Sequence, residues 1–293
     1  MLTNYTIVKD ISSEVLTALF EGGPGSGHWG HSGRPGYVGG SLPGGVLPDG
    51  IVAGTKEGKE WVKANQDRYN SDREFRILVD TVTLFTQGVY DKLRAASRYA
   101  DEGEEGVKAE GFIDTEWLDD KLGSAAFPLL KIKNFFEGQD AKNSDVCSIK
   151  EAGRVLNEAV DNSPKREILY RGVSGFLGRK TIDSVIALKE GDVFSIVGVS
   201  SFTDNRDVGE MFMRGKVPGI KKPSKPPPIQ ILFIAKGAPG LSVSALSPYK
   251  QSEFLSRGTF KVVGKREKVV RVSRGSYREI TVEMEYIGKV SEG

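Results

Sequence analysis

Apolar positions along the chain change rhythm near Pro164, and the change separates a helical region from a strand-rich one. Upstream, Phe75, Leu78, Val79, Val82, Phe85, Val89 and Leu93 recur at three- and four-residue spacing. That spacing puts them on one face and predicts a long helix beginning near Asp72. Shorter helices are expected over 116–122 and 125–136, and Ser148-Ile-Lys-Glu151 is a capping box that opens another through Val160. Downstream, Val- and Ile-rich runs at 168–173, 193–200, 229–235, 259–263, 269–272 and 280–286 predict strands, punctuated by glycines or charged turns. Helical spacing returns only at 181–188 and 205–213. Pro226, Pro227 and Pro228 exclude ladder and helix alike, so 221–228 is expected as an exposed loop.

The first residues have another texture. Ile7, Val8, Ile11, Val15, Leu16 and Leu19 form a short amphipathic segment, and from Gly22 to about Gly54 glycine and proline are too dense for a helix or central strand. The expected division is therefore an N-terminal segment and Gly/Pro-rich arm over 1–56, a helical region over 57–164 and a strand-rich core over 165–293. Trp29 and Tyr37 are the residues of the arm suited to docking on a partner. His28 and His31 stand in an H-x-x-H pair, but no cysteine or ordered carboxylate supports them as ligands, so no metal is expected.

Charge sharpens the contrast between the halves. Lys and Arg against Asp and Glu sum to −8 over residues 1–164 and +10 over 165–293, which makes up the net +2 of the chain. The second half is built to meet anions, and a dinucleotide, an acidic protein or nucleic acid would each satisfy that field. Cys147 is the sole cysteine and cannot form an internal disulfide. Lys9, Asp10 and Glu14 interrupt any signal-peptide core, and no apolar run reaches membrane-spanning length. A soluble protein is expected, with export by a signal-free route left open.

Three fragments of the strand-rich half carry candidate chemistry. Ile168-Leu-Tyr-Arg-Gly-Val173 sets Arg171 inside an apolar strand, where a permanent charge needs an anion or a bidentate partner. Gly198-Val-Ser-Ser-Phe-Thr203 ends a strand on hydroxyls, and either Ser201 or, with a one-residue shift, Ser200 faces a site. Tyr249-Lys-Gln-Ser-Glu-Phe-Leu-Ser-Arg-Gly-Thr-Phe260 places Gln251 and Glu253 two apart at the mouth of a strand, hence on one face. Glutamine donates and accepts hydrogen bonds but is no base near neutral pH. No histidine occurs in this half, which removes Ser-His and Cys-His catalysis, and no Gly-x-Gly-x-x-Gly or phosphate loop is present.

In order and content these fragments resemble the Arg, Ser-Thr-Ser and Gln/Glu-x-Glu triad of the mono-ADP-ribosyltransferases, with Phe202 in place of the usual central threonine. The resemblance covers roughly 165–288. It implies an α+β fold of two small, mainly antiparallel sheets around a cleft for NAD, with helices on the N-terminal side. It also implies a reaction without metal, in which ADP-ribose passes from NAD to a side chain of a host protein, not necessarily an arginine. Glu253 would then be the catalytic carboxylate, Ser201 its orienting hydroxyl, Arg171 and Gly172 the NAD clamp, and Arg206 and Arg214 further phosphate ligands. Tyr249 and Gln251 would recognise the acceptor. An NAD glycohydrolase and a virion or interaction module with a vestigial site are the alternatives. The glycine-rich arm is similar in composition to segments of head-associated proteins of tailed phages, which implies a virion or delivery partner and a host-cytoplasmic destination.

Overall fold

The computed structural model describes residues 47–86, 90–108, 126–128, 146–174, 185–215, 227–247, 252–273 and 275–290. Helix α1 (Lys56–Ser71) starts at Thr55, whose hydroxyl accepts from the Gly58 N–H at 3.0 Å. Asp72 caps α2 (Arg73–Leu84) through the Phe75 N–H at 3.0 Å, so the expected start of the long helix stands. Its α-helical stretch runs to Leu84 and passes into a π turn over 85–86. Thr86 donates to the Thr83 carbonyl at 3.0 Å and to the Leu246 carbonyl at 3.2 Å, tying this turn to a distant segment. Residues 87–89 lie outside the described residues, and the next described helix is α3 (Tyr90–Lys108).

A departure lies at β1 (Ala126–Pro128), which pairs antiparallel with β2 (Val146–Ser148) where a helix over 125–136 was expected. Pro128 disfavours helical backbone at the residue before it, so Phe127 is extended. Helix α4 (Ile149–Asp161) begins where the capping box predicts. The helix expected over 116–122 lies outside the described residues, as do His28, Trp29, His31 and Tyr37.

The remaining strands are β3 (Ile168–Ser174), β4 (Val193–Phe202), β5 (Ile229–Lys236), β6 (Leu241–Ser242), β7 (Phe254–Val272) and β8 (Gly275–Gly288). The runs at 259–263 and 269–272 are thus one strand. Hydrogen bonding follows the order β3-β5-β8-β7-β4, with β6 on β7, and only β5–β8 is parallel. This α+β architecture unites in one curled path what was expected as two sheets. Apolar residues from β3, β5 and β8 (Leu169, Phe233, Val282) and from β4 and β7 (Phe194, Phe260) meet in one core. A second core joins α2, α3 and α4 to the other face of β4 and β7 through Val199 and Leu255.

Helix α5 (Arg206–Met213), capped by Asn205, packs on the outer face of β3 and β5. The approach is so close that a Cβ at Gly172 would lie 1.8 Å from the Gly209 carbonyl oxygen.

Residues 47–55, assigned by composition to the arm, are packed chain. Leu47 is buried in the helical core, the Ala53 N–H donates to the Ser244 carbonyl at 3.1 Å, and Arg166 grips Asp49 at 2.6 and 2.7 Å. Among the described residues no helix is long and apolar enough to cross a membrane.

Candidate active site

Strand β3 brings its arginine to the end of β4 because the two chains touch there. Tyr170 and Thr203 form an isolated antiparallel bridge beyond the main path of the sheet. Arg171 lies on the opposite face from Tyr170, with Leu169 and Val173. Its guanidinium Nη1 donates to the Ser201 carbonyl, and its Cζ lies 5.9 Å from the centre of the Phe202 ring. Phe202, which departs from the expected Thr, is buried in the sheet core. It contributes apolar bulk beneath the arginine in place of a hydroxyl.

Glu253 immediately precedes β7. Ser201 stands opposite Leu255 in the β4–β7 ladder, which makes Glu253 its diagonal neighbour. The Ser201 hydroxyl hydrogen-bonds the Glu253 carboxyl. Ser200 faces away, wholly buried, its hydroxyl 3.4 Å from the Gly198 carbonyl. Glu253 is half-buried as a residue, yet its carboxyl sits among closely packed atoms. That desolvation pushes its pKa up, while the Ser201 bond and the positive charge of Arg171 pull it part of the way back. The Glu253 carbonyl accepts from the Val243 N–H at 3.0 Å, which anchors the far end of the segment holding Tyr249 and Gln251. Those two residues lie outside the described residues.

Three residues separated along the chain therefore converge: a guanidinium, a hydroxyl and a carboxyl held above its usual range. Gly172 is adjacent. Because Tyr170 directs its N–H and C=O toward Thr203, alternation along the strand directs those of Gly172 to the same side, past the bridge. Arg206 and Arg214 stand elsewhere on this chain's charge map. Arg206 on α5 and Arg214 just past its end are exposed, and both pair with Glu210, which they hold below the ordinary carboxylate range.

Sequence reading passed over the residues that fix this geometry. Arg257, inside the quoted motif but read only as part of its frame, is buried, with Nη1 2.6 Å from Asp101 and Nε 3.1 Å from Asp161. Its partners lie on α3 and α4, and no local spacing announces them. Gly258 has φ +136°, and a Cβ there would lie 2.3 Å from the Tyr286 ring.

No protein-family model and no curated protein matches the chain. Among solved structures it is similar to the Vis toxin, an ADP-ribosyltransferase from Vibrio splendidus, at 18% identity over 76% of this chain and 80% of that one, with a TM-score of 0.37. An ADP-ribosyltransferase toxin from Paenibacillus larvae is similar at 14% identity, over 78% and 94%, with a TM-score of 0.37. An ADP-ribosyltransferase from Clostridium botulinum is similar at 13% identity, over 79% and 96%, with a TM-score of 0.37.

Proposed function

We propose that the protein is a mono-ADP-ribosyltransferase that takes NAD as substrate and modifies a side chain of a host protein. The observation that carries this reading is the meeting of Arg171, Ser201 and Glu253. Breaking the bond between nicotinamide and ribose sends its electron pair to the nicotinamide nitrogen and leaves positive charge on the sugar. A carboxylate against that ribose stabilises the charge as it develops. Glu253 does this, and the Ser201 hydroxyl holds its carboxyl in place.

Arg171 supplies the fixed positive charge that an NAD phosphate needs, and its planar fork suits that anion. The N–H and C=O of Gly172, facing the open side of the bridge, match the donor and acceptor of a carboxamide. Arg206 and Arg214 would bind phosphate only by releasing Glu210. Gln251 positions the acceptor, whose nucleophilic atom attacks the sugar carbon and gives up its proton to water, and Tyr249 contacts the target surface. Residues 1–46 serve delivery.

The same site would serve a glycohydrolase with water as acceptor. Incubating the protein with NAD labelled in the adenylate portion and a host lysate separates the readings. Label on protein supports transfer, free ADP-ribose alone supports hydrolysis, and intact NAD overturns both.

A further inference from the structure

The ladder between β4 and β7 is broken where the site requires its register to be fixed. Ile196 faces Gly258 and Ser200 faces Ser256, so residues 197–199 of β4 stand against the single residue Arg257. A slip of one residue there would carry the Ser201 hydroxyl to the wrong face of the strand.

Both sides of this bulge are tied to one buried polar cluster. On the β4 side, the Val199 N–H donates to the Ser97 hydroxyl at 3.1 Å. On the β7 side, Arg257 reaches Asp101, one helical turn beyond Ser97 on α3, and Asp161 at the end of α4. Asn157 of α4 closes the cluster, its amide donating to the Ser97 carbonyl and the Asp101 carboxylate, each at 2.9 Å. The Ser97 hydroxyl in turn donates to the Asn157 side-chain oxygen. Ser97, Asn157 and Arg257 are each 5% exposed or less, so water does not compete for these bonds.

We propose that Ser97, Asp101, Asn157 and Arg257 form a register clamp that sets Ser201 against Glu253 from outside the site. They are positioning residues, since none of them forms part of the Arg171–Ser201–Glu253 site. Ser97 is the keystone, because its hydroxyl takes the Val199 N–H within the bulge and also bonds Asn157. The inference rests on the NAD-cleaving reading for its kinetic consequence, but the clamp itself has a readout independent of catalysis.

The test compares Ser97→Ala and Ser97→Thr with the unchanged protein. Displacing a reacting group by an ångström costs up to about a hundredfold in rate, so Ser97→Ala is expected to lower kcat for NAD cleavage at least about tenfold. The Kd for NAD should stay within about twofold, since Ser97 contacts none of the proposed NAD-binding groups and Arg171 is held on β3 by the Tyr170–Thr203 bridge. Ser97→Thr should restore most of kcat. Loss of kcat and affinity together, or Thr behaving as Ala, overturns the proposal. Amide hydrogen exchange at Val199 is measured on the same three proteins. It should quicken in Ser97→Ala and recover in Ser97→Thr, and unchanged exchange overturns the clamp. Should the unchanged protein leave NAD intact, the functional reading fails and the exchange result decides the clamp alone.

Discussion

Tyr170 and Thr203 exchange both backbone hydrogen bonds, at N···O distances of 2.7 and 2.9 Å, although β3 and β4 stand at opposite ends of the strand order. The bridge closes the curl of the sheet one residue before Arg171 and two after Ser201. It thereby brings an arginine of one edge strand against a serine of the other. Without it, the two motifs would be separated by the width of the sheet.

Glu253→Gln keeps shape and hydrogen-bonding capacity but removes the charge needed when the sugar becomes cationic. NAD cleavage and transfer are expected to fall by about a hundredfold or more, with NAD affinity within a few-fold. Turnover at the unchanged rate would remove Glu253 from the catalytic role.

Ser201→Ala takes away a bond that holds the Glu253 pKa down, while burial continues to push it up. The carboxylate then ionises at higher pH. If the proposed NAD cleavage is observed, the acid limb of its pH–rate profile should move upward relative to the unchanged protein. An acid limb that stays in place would show that Ser201 does not act on the Glu253 carboxyl.

Arg171→Lys retains the charge and loses the planar fork that reaches the Ser201 carbonyl and, in the proposed role, would also hold an NAD phosphate. Calorimetric titration should show NAD binding weakened by about tenfold. Equal affinity refutes the assignment.

Asp80 is buried on α2, where the Tyr69 hydroxyl donates to it at 2.6 Å. Burial, only partly offset by that bond and by Arg76, pushes its pKa from 3.8 to about 7. The folded state thus binds a proton that the unfolded chain has released. Stability from this group is full below about pH 4 and is lost as pH rises through about 7. Asp80→Asn, which can still accept from Tyr69, should flatten that part of the urea-melting profile and be the more stable protein at pH 8. A slope identical to that of the unchanged protein would contradict the assignment.

A chain starting at Lys56 loses Leu47, Asp49 and Ala53, and with them a buried side chain, the Arg166 ion pair and a backbone bond to Ser244. Arg166 also lies 4.6 Å from the centre of the Phe254 ring, next to Glu253. This truncation should lose at least about 2 kcal/mol of stability and part of its NAD cleavage, whereas a chain starting at Val46 should keep both. Equal thermal midpoints for the two would return residues 47–55 to the arm.

The elements legible in the sequence were those whose instructions are local. Asp72 and Asn205 cap the helices expected after them, and the Val- and Ile-rich runs became strands. The Arg171, Ser201 and Glu253 fragments were legible as candidates because each is short and ordered, and the fold brings those three residues together. What could not be read was whether Ser200 or Ser201 faces Glu253, because the bulge at 197–199 breaks the alternation on which such a choice depends. Nor could the boundary of the arm, because Asp49 and Arg166 are 117 residues apart and meet only in the folded chain. The same holds for Arg257 and Asp101, 156 residues apart.

Strand β8 lies between β5 and β7, parallel to the first and antiparallel to the second. On the ribosome its residues emerge after every other strand has been made, so β5 and β7 wait with unpaired edges until 275–288 appear. The β3–β5 and β4–β7 pairs are joined on that side of the sheet only when β8 enters between them. Until then the two exposed strand edges are templates for pairing with another chain, and a holdase that shields them during synthesis would suppress aggregation.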